Sequence, residues 1–101
     1  MTDASETRGD DGSESDGVQC WLVERTFDDR NLVTIVYATP AGNRYHQRER
    51  SAQALRTGSA VTAGVTLDPE SLEPVGDGET REWYAAEAKR VAATHEPGDP
   101  I

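Results

Sequence analysis

The chain has 101 residues, a formal net charge of −9 and a 35% share of hydrophobic residues. This length suits one domain, and no stretch approaches the roughly 18 consecutive apolar residues of a membrane helix. With Cys20 as the single cysteine, and His46 and His95 scattered in sequence, the chain lacks both a disulfide and the paired ligand spacing of a structural zinc site. We therefore expect no metal and no cofactor.

Residues 1–17 are almost all Asp, Glu, Ser, Gly and Thr. They cannot bury enough apolar area to offset chain entropy and read as a disordered acidic tail. A single α+β domain is expected over residues 18–95. Val18 to Phe27 alternates like a strand, with Trp21, Val23 and Phe27 on one side and Cys20, Leu22 and Thr26 on the other. Asp28 to Asn31 forms a polar turn. Leu32 to Thr39 is apolar on both faces, the pattern of a central strand. Pro40 to Asn43 makes a second turn, with Gly42 and Asn43 supplying positive φ. Arg44 to Arg50 continues as a third strand, completing an antiparallel meander.

Ser51 can cap a short helix over Ala52 to Arg56 that Gly58 stops. Val61, Ala63, Val65 and Leu67 have the period of a half-buried strand. Asp68-Pro69 opens one helical turn, and Leu72 to Val75 is extended. The main helix starts at Asp77 or Gly78 and runs to about His95. Tyr84, Ala88, Val91, Ala92 and His95 follow the helical period, flanked by Trp83. Residues 96–101 read as a frayed C-terminus. The order β-β-β-(short α)-β-α predicts a mainly antiparallel sheet with the C-terminal helix on one face.

Nine of the ten basic residues are Arg; Lys89 is the exception. An acidic surface carrying Arg rather than Lys suits a cytoplasm of molar salt, where the Debye length falls to about 3 Å and carboxylate repulsion is screened. In this respect the composition resembles small uncharacterised acidic proteins of halophilic archaea. The free thiol and the lack of a basic-then-apolar leader at the N-terminus fit a cytoplasmic location.

Charge is segregated along the chain. Residues 1–17 sum to −5, residues 18–67 to +2 and residues 68–101 to −6. Within the positive middle, Arg44, His46, Arg48 and Arg50 are spaced by two, which sends all four to one strand face, with Arg56 close behind in sequence. Such a face can dock RNA, DNA or an acidic protein through paired guanidinium hydrogen bonds. It can equally be an edge strand protected by charge, or pair internally with the acidic helix. Tyr37 and Tyr45 alone accompany it, so no RNA-binding module is recognisable.

Other candidates have plainer explanations. Gly76-x-Gly78 lacks a third glycine, and the neighbouring Asp77 and Glu79 would repel a phosphate. Asp28, Asp29 and Asn31 supply too few oxygens for calcium. His95 suits a helix end. Cys20 could be a nucleophile only if His46 reached it as a base. The reading that follows is a small binding or accessory module using Arg44 to Arg50, with Arg56. A homodimeric regulatory or assembly protein associating through the sheet is the alternative. An enzyme built on Cys20 and His46 comes third.

Overall fold

The computed structural model describes residues 17–58 and 61–101; the acidic tail expected over residues 1–17 falls outside them except for Gly17. Chain order is β1 (Val18–Phe27), β2 (Leu32–Ala38), β3 (Arg44–Ser51), α1 (Ala52–Thr57), β4 (Gly64–Leu67), a 3-10 turn at Pro69–Ser71, β5 (Glu73–Pro74) and α2 (Gly78–Thr94). The strands form one sheet in the order β4-β1-β2-β3-β5, with every neighbouring pair antiparallel. The fold is α+β, with β2 central and α2 against one face, as the pattern predicts.

The turns follow from side-chain chemistry. Asp28 accepts from the N–H groups of Arg30 (2.9 Å) and Leu32 (3.0 Å), and Asn31 takes a positive φ of 64°. Between β2 and β3 it is Gly42, not Asn43, that carries positive φ, at 74°. Gly42 also lies against the α2 backbone: an added Cβ would strike the Arg81 carbonyl and sit 2.6 Å from the Ala85 nitrogen.

Two apolar clusters sit on opposite sides of the sheet. Val23, Val36, Ala38 and Ala88 pack on the α2 side, joined by Trp21, Tyr45 and Tyr84. Cys20, Leu22, Val33, Ile35, Tyr37, Val61 and Leu72 pack on the other side, the back face, with Leu55 of α1 and Ile101 against them. Helix α2 begins at the N-cap Asp77, which accepts from the Thr80 N–H (2.9 Å) and hydroxyl (2.7 Å).

Four expectations need correction. Phe27 does not share a face with Trp21. A bulge between Leu22 and Glu24 inserts one residue into β1, and beyond it Phe27 pairs with Val33 on the back face. The strand expected from Val61 is only Gly64–Leu67; Leu22 N–H still donates to Ala63 O (2.9 Å), and residues 61–64 bond on their other side to the C-terminal segment. Ala63 N–H donates to Asp99 O (2.8 Å), Gly64 N–H to Pro97 O (3.0 Å) and Ile101 N–H to Val61 O (2.9 Å). Residues 96–101 are therefore held against the domain rather than frayed. Finally, Ala92 is exposed while Ala88 and Val91 are buried, since Ala92 lies about 100° round the helix from Val91.

Candidate functional site

The register of β3 settles where its basic side chains go. His46 pairs with Tyr37, Arg48 with Ile35 and Arg50 with Val33, and cross-strand partners share a face. All three therefore lie on the back face, opposite α2. Arg44 begins the same alternation, and its charge acts on the Cys20 thiol of that face. Tyr45 and Gln47 take the α2 side. Strand β3 is only partly an edge: β5 covers Arg44 and Tyr45, and from His46 onward its outer side carries no strand among the described residues. Arg56, on α1, is exposed.

The basic residues differ in environment. Arg50 is exposed, and its Nη1 donates to the Glu49 carbonyl at 2.9 Å. Arg48 is half-buried, with its guanidinium 5.5 Å above the centre of the Tyr37 ring and its Nε buried without a hydrogen-bond partner. Tyr37 itself is buried and donates its hydroxyl to Thr62 O (2.9 Å). His46 donates from Nδ1 to Ser71 O (3.1 Å). Among the described residues the ion pairs join Arg30 to Asp28 and Arg90 to Glu87; Arg44, Arg48 and Arg50 enter neither. The β3 residues that face away from α2 make no ion pair with it among the described residues.

Between β3, β2 and α1 lies an open hollow of about 500 Å³ with Ile35, Tyr37, Leu55 and Val61 as its apolar lining and Arg48 and Arg50 on one wall. A second hollow of about 540 Å³ runs along the free edge of β3, bordered by His46, Gln47, Glu49, Ser71 and Glu73.

One residue of this face was hidden from sequence reading. Arg25 pairs with Ile35, so it shares the row Arg25–Ile35–Arg48 across the sheet. Its Nη1 donates to Ile101 O at 2.8 Å. Strict alternation from Trp21 would send Arg25 to the α2 side; the bulge reverses it, and no residue in β1 advertises that bulge.

The remaining candidates are occupied by structural contacts. Cys20 is fully buried, its thiol donates to Val18 O (3.6 Å), and burial raises its pKa against a smaller opposing effect of Arg44. His46 is turned to Ser71, and no hydrogen bond joins it to Cys20 among the described residues. Asp28 is held below the ordinary carboxylate range by the Leu32 and Arg30 N–H groups and then by the Arg30 side chain. Gly76 is open to solvent while Asp77 caps α2. His95 is the C-cap, bonded to the Thr94 hydroxyl at 2.9 Å.

A family model matches residues 14–101, a span that contains all the described residues. The chain belongs to the family of unknown function DUF7967. No curated protein and no solved structure matches it. Within this DUF7967 domain no described helix is long and apolar enough to cross a membrane.

Proposed function

We propose that this DUF7967 domain is a non-enzymatic binding or accessory module that docks an anionic partner, RNA, DNA or an acidic protein, on the basic back face of β3. The observation that supports this reading is the placement of Arg48 and Arg50, which share the face turned away from α2 and enter no ion pair among the described residues. Arg44 and His46 belong to the same face of β3, and Arg56 follows at an exposed position of α1. An edge needing only protection would be served by carboxylates as well as by guanidiniums. The test is capture on immobilised protein. Arg50→Glu with Arg56→Glu, both at exposed positions, should abolish partner capture and leave the circular dichroism spectrum unchanged. Undiminished capture by the double variant would reduce the basic face to edge protection.

A homodimeric regulatory or assembly protein is the second reading. What favours association at the sheet is a shallow apolar hollow of about 790 Å³ between β1 and α2, lined by Trp21, Ala85, Ala88 and Ala92. Sedimentation equilibrium decides it: a monomer at all concentrations removes this reading.

We further infer a cytoplasmic setting of high ionic strength from the excess of 19 acidic over 10 basic residues and the use of Arg as the base. Screening should relieve repulsion among the carboxylates, so the melting temperature should rise from dilute buffer to molar KCl. A melting temperature independent of salt would remove this inference.

A further inference from the structure

We propose that the free edge of β3 binds an acidic peptide segment by strand addition, with carboxylates at alternate positions set opposite Arg48 and Arg50. The inference rests on the docking reading above and narrows it to one partner class.

The backbone supplies the first half of the argument. Thr39 N–H donates to Arg44 O (3.1 Å), and the β2–β3 register then runs unbroken to Ser51. In an antiparallel ladder hydrogen-bonding direction alternates. The peptide groups of even-numbered β3 residues therefore point to β2, and those of Gln47 and Glu49 point to the outer edge. Strand β5 stops at Tyr45, so the Gln47 and Glu49 groups meet no strand among the described residues. The Glu49 carbonyl is held by the exposed, flexible Arg50 side chain, a contact an incoming N–H can replace. A row of unpaired peptide groups is the template that strand addition uses.

The side chains supply the second half. A strand laid beside β3 places alternate residues opposite Arg48 and Arg50, on the back face, at the short Cβ separation of about 4.5–5.5 Å. Carboxylates there would accept charge-assisted hydrogen bonds from the guanidiniums. The intervening residues would lie on the α2 side, beside Gln47 and Glu49, where a second carboxylate is repelled. The matching segment therefore alternates acidic with uncharged residues.

The same features disfavour a nucleic acid strand. Glu49 and Glu73 border the edge hollow beside His46 and Arg48, and a chain charged at every unit is repelled by those carboxylates where an alternating peptide presents uncharged residues. Tyr37 is 3% exposed and lies beneath Arg48, and the exposed ring of this face, Phe27, lies across Val33 from Arg50, two strands away from the free edge, so no ring stands at that edge for base stacking.

Fluorescence anisotropy with the full chain tests the proposal. The probes are a short peptide alternating glutamate with threonine, a peptide of the same composition with its glutamates contiguous, and oligo-thymidylate of similar charge. The alternating peptide should bind at least tenfold more tightly than the other two. Gln47→Pro removes one edge N–H without changing charge, and Pro is tolerated where that N–H faces outward; it should weaken binding at least tenfold. Arg50→Glu should do the same, and the alternating peptide with one terminal glutamate replaced by lysine should recover part of the lost binding, because the remaining glutamates still face Arg48. Both variants are checked by thermal melts, and each covers for the other should one fail to fold. Alternating-peptide binding that Gln47→Pro leaves unchanged, or preference for the oligonucleotide, overturns strand addition while leaving a basic docking face in place. Absence of binding to all three probes overturns both.

Discussion

The two faces of this sheet are closed in different ways. The α2 side is covered by one 17-residue helix, capped by Asp77 and seated so closely on the β2–β3 turn that only glycine fits at position 42. The back face is covered in pieces: six-residue α1, the 61–64 segment and the C-terminal residues. Those pieces bury the middle of the sheet but leave the hollow beside Arg48 and Arg50. Several short elements leave a gap between them, and on the back face that gap coincides with the basic residues; the hollow beside α2 is lined mainly by apolar residues. The back face holds the larger buried cluster, yet its pieced cover leaves part of β3 free to interact.

That contrast can be broken from either side. The largest effect should come from Gly42→Ala. The substitution places a side chain at positive φ and drives a Cβ into the α2 backbone, combining local strain with overpacking for a loss of about 2–4 kcal/mol. This is a large part of the roughly 5–15 kcal/mol of a whole domain. Urea unfolding should show a much lower midpoint. An unchanged midpoint would mean that α2 is not tightly seated.

A paired truncation comes next. Val91 of α2 is 2% exposed, so Val91→Ala should cost roughly 2 kcal/mol through lost burial and a residual cavity. Leu55 of α1 is only half-buried, and Leu55→Ala should cost nearer 1 kcal/mol despite removing the larger side chain. Equal or reversed losses would make the back face as important to stability as the α2 side.

Arg48→Met addresses the basic face itself. The change forfeits the stacking on Tyr37, a contribution of about 0.5–1 kcal/mol, but also removes a buried Nε that lacks a partner. These effects oppose each other, so stability should move by less than about 1 kcal/mol while partner capture is lost. A large drop in stability would show that Arg48 serves packing first.

The sequence carried much of this division and missed its detail for local reasons. The apolar run Leu32 to Ala38 marks a strand buried on both sides, and the period of two from Arg44 to Arg50 marks one face of β3; both patterns need only the geometry of a strand. Arg25 escaped because a bulge is a tertiary accommodation: nothing in Leu22, Val23 or Glu24 distinguishes an inserted residue from a regular one. The packed C-terminal residues escaped because Pro97, Gly98 and Pro100 read locally as a breaker cluster, while their hydrogen bonds reach back to residues 61–64. The free edge beyond Tyr45 depends on how short β5 is, and the extended stretch Leu72 to Val75 does not reveal that only two of its residues would pair.

The smallest effect expected concerns acid, and it should loosen the start of α2. The Thr80 hydroxyl, followed by the Thr80 N–H, holds the Asp77 carboxyl below the ordinary value of 3.8. A carboxyl with a depressed folded pKa stabilises the fold in full above its unfolded value, and that contribution is lost as pH falls through the folded value. The loss should therefore begin near pH 3.8 and continue below it, loosening the first turn of α2. Asp77→Asn retains an N-cap acceptor but not the titration. Its melting temperature should nearly equal that of the parent chain at neutral pH and fall less steeply below pH 4, with Asp28 accounting for part of the acid sensitivity that remains. Carbon-detected NMR of the Asp77 carboxyl gives the direct reading. Its midpoint should lie below 3.8 and rise towards that value in Thr80→Val, which removes the hydroxyl and keeps the N–H. A midpoint at or above 3.8 in the parent chain would mean that the cap is not formed in solution, and the tight seating of α2 would then rest on Gly42 and Val91 alone.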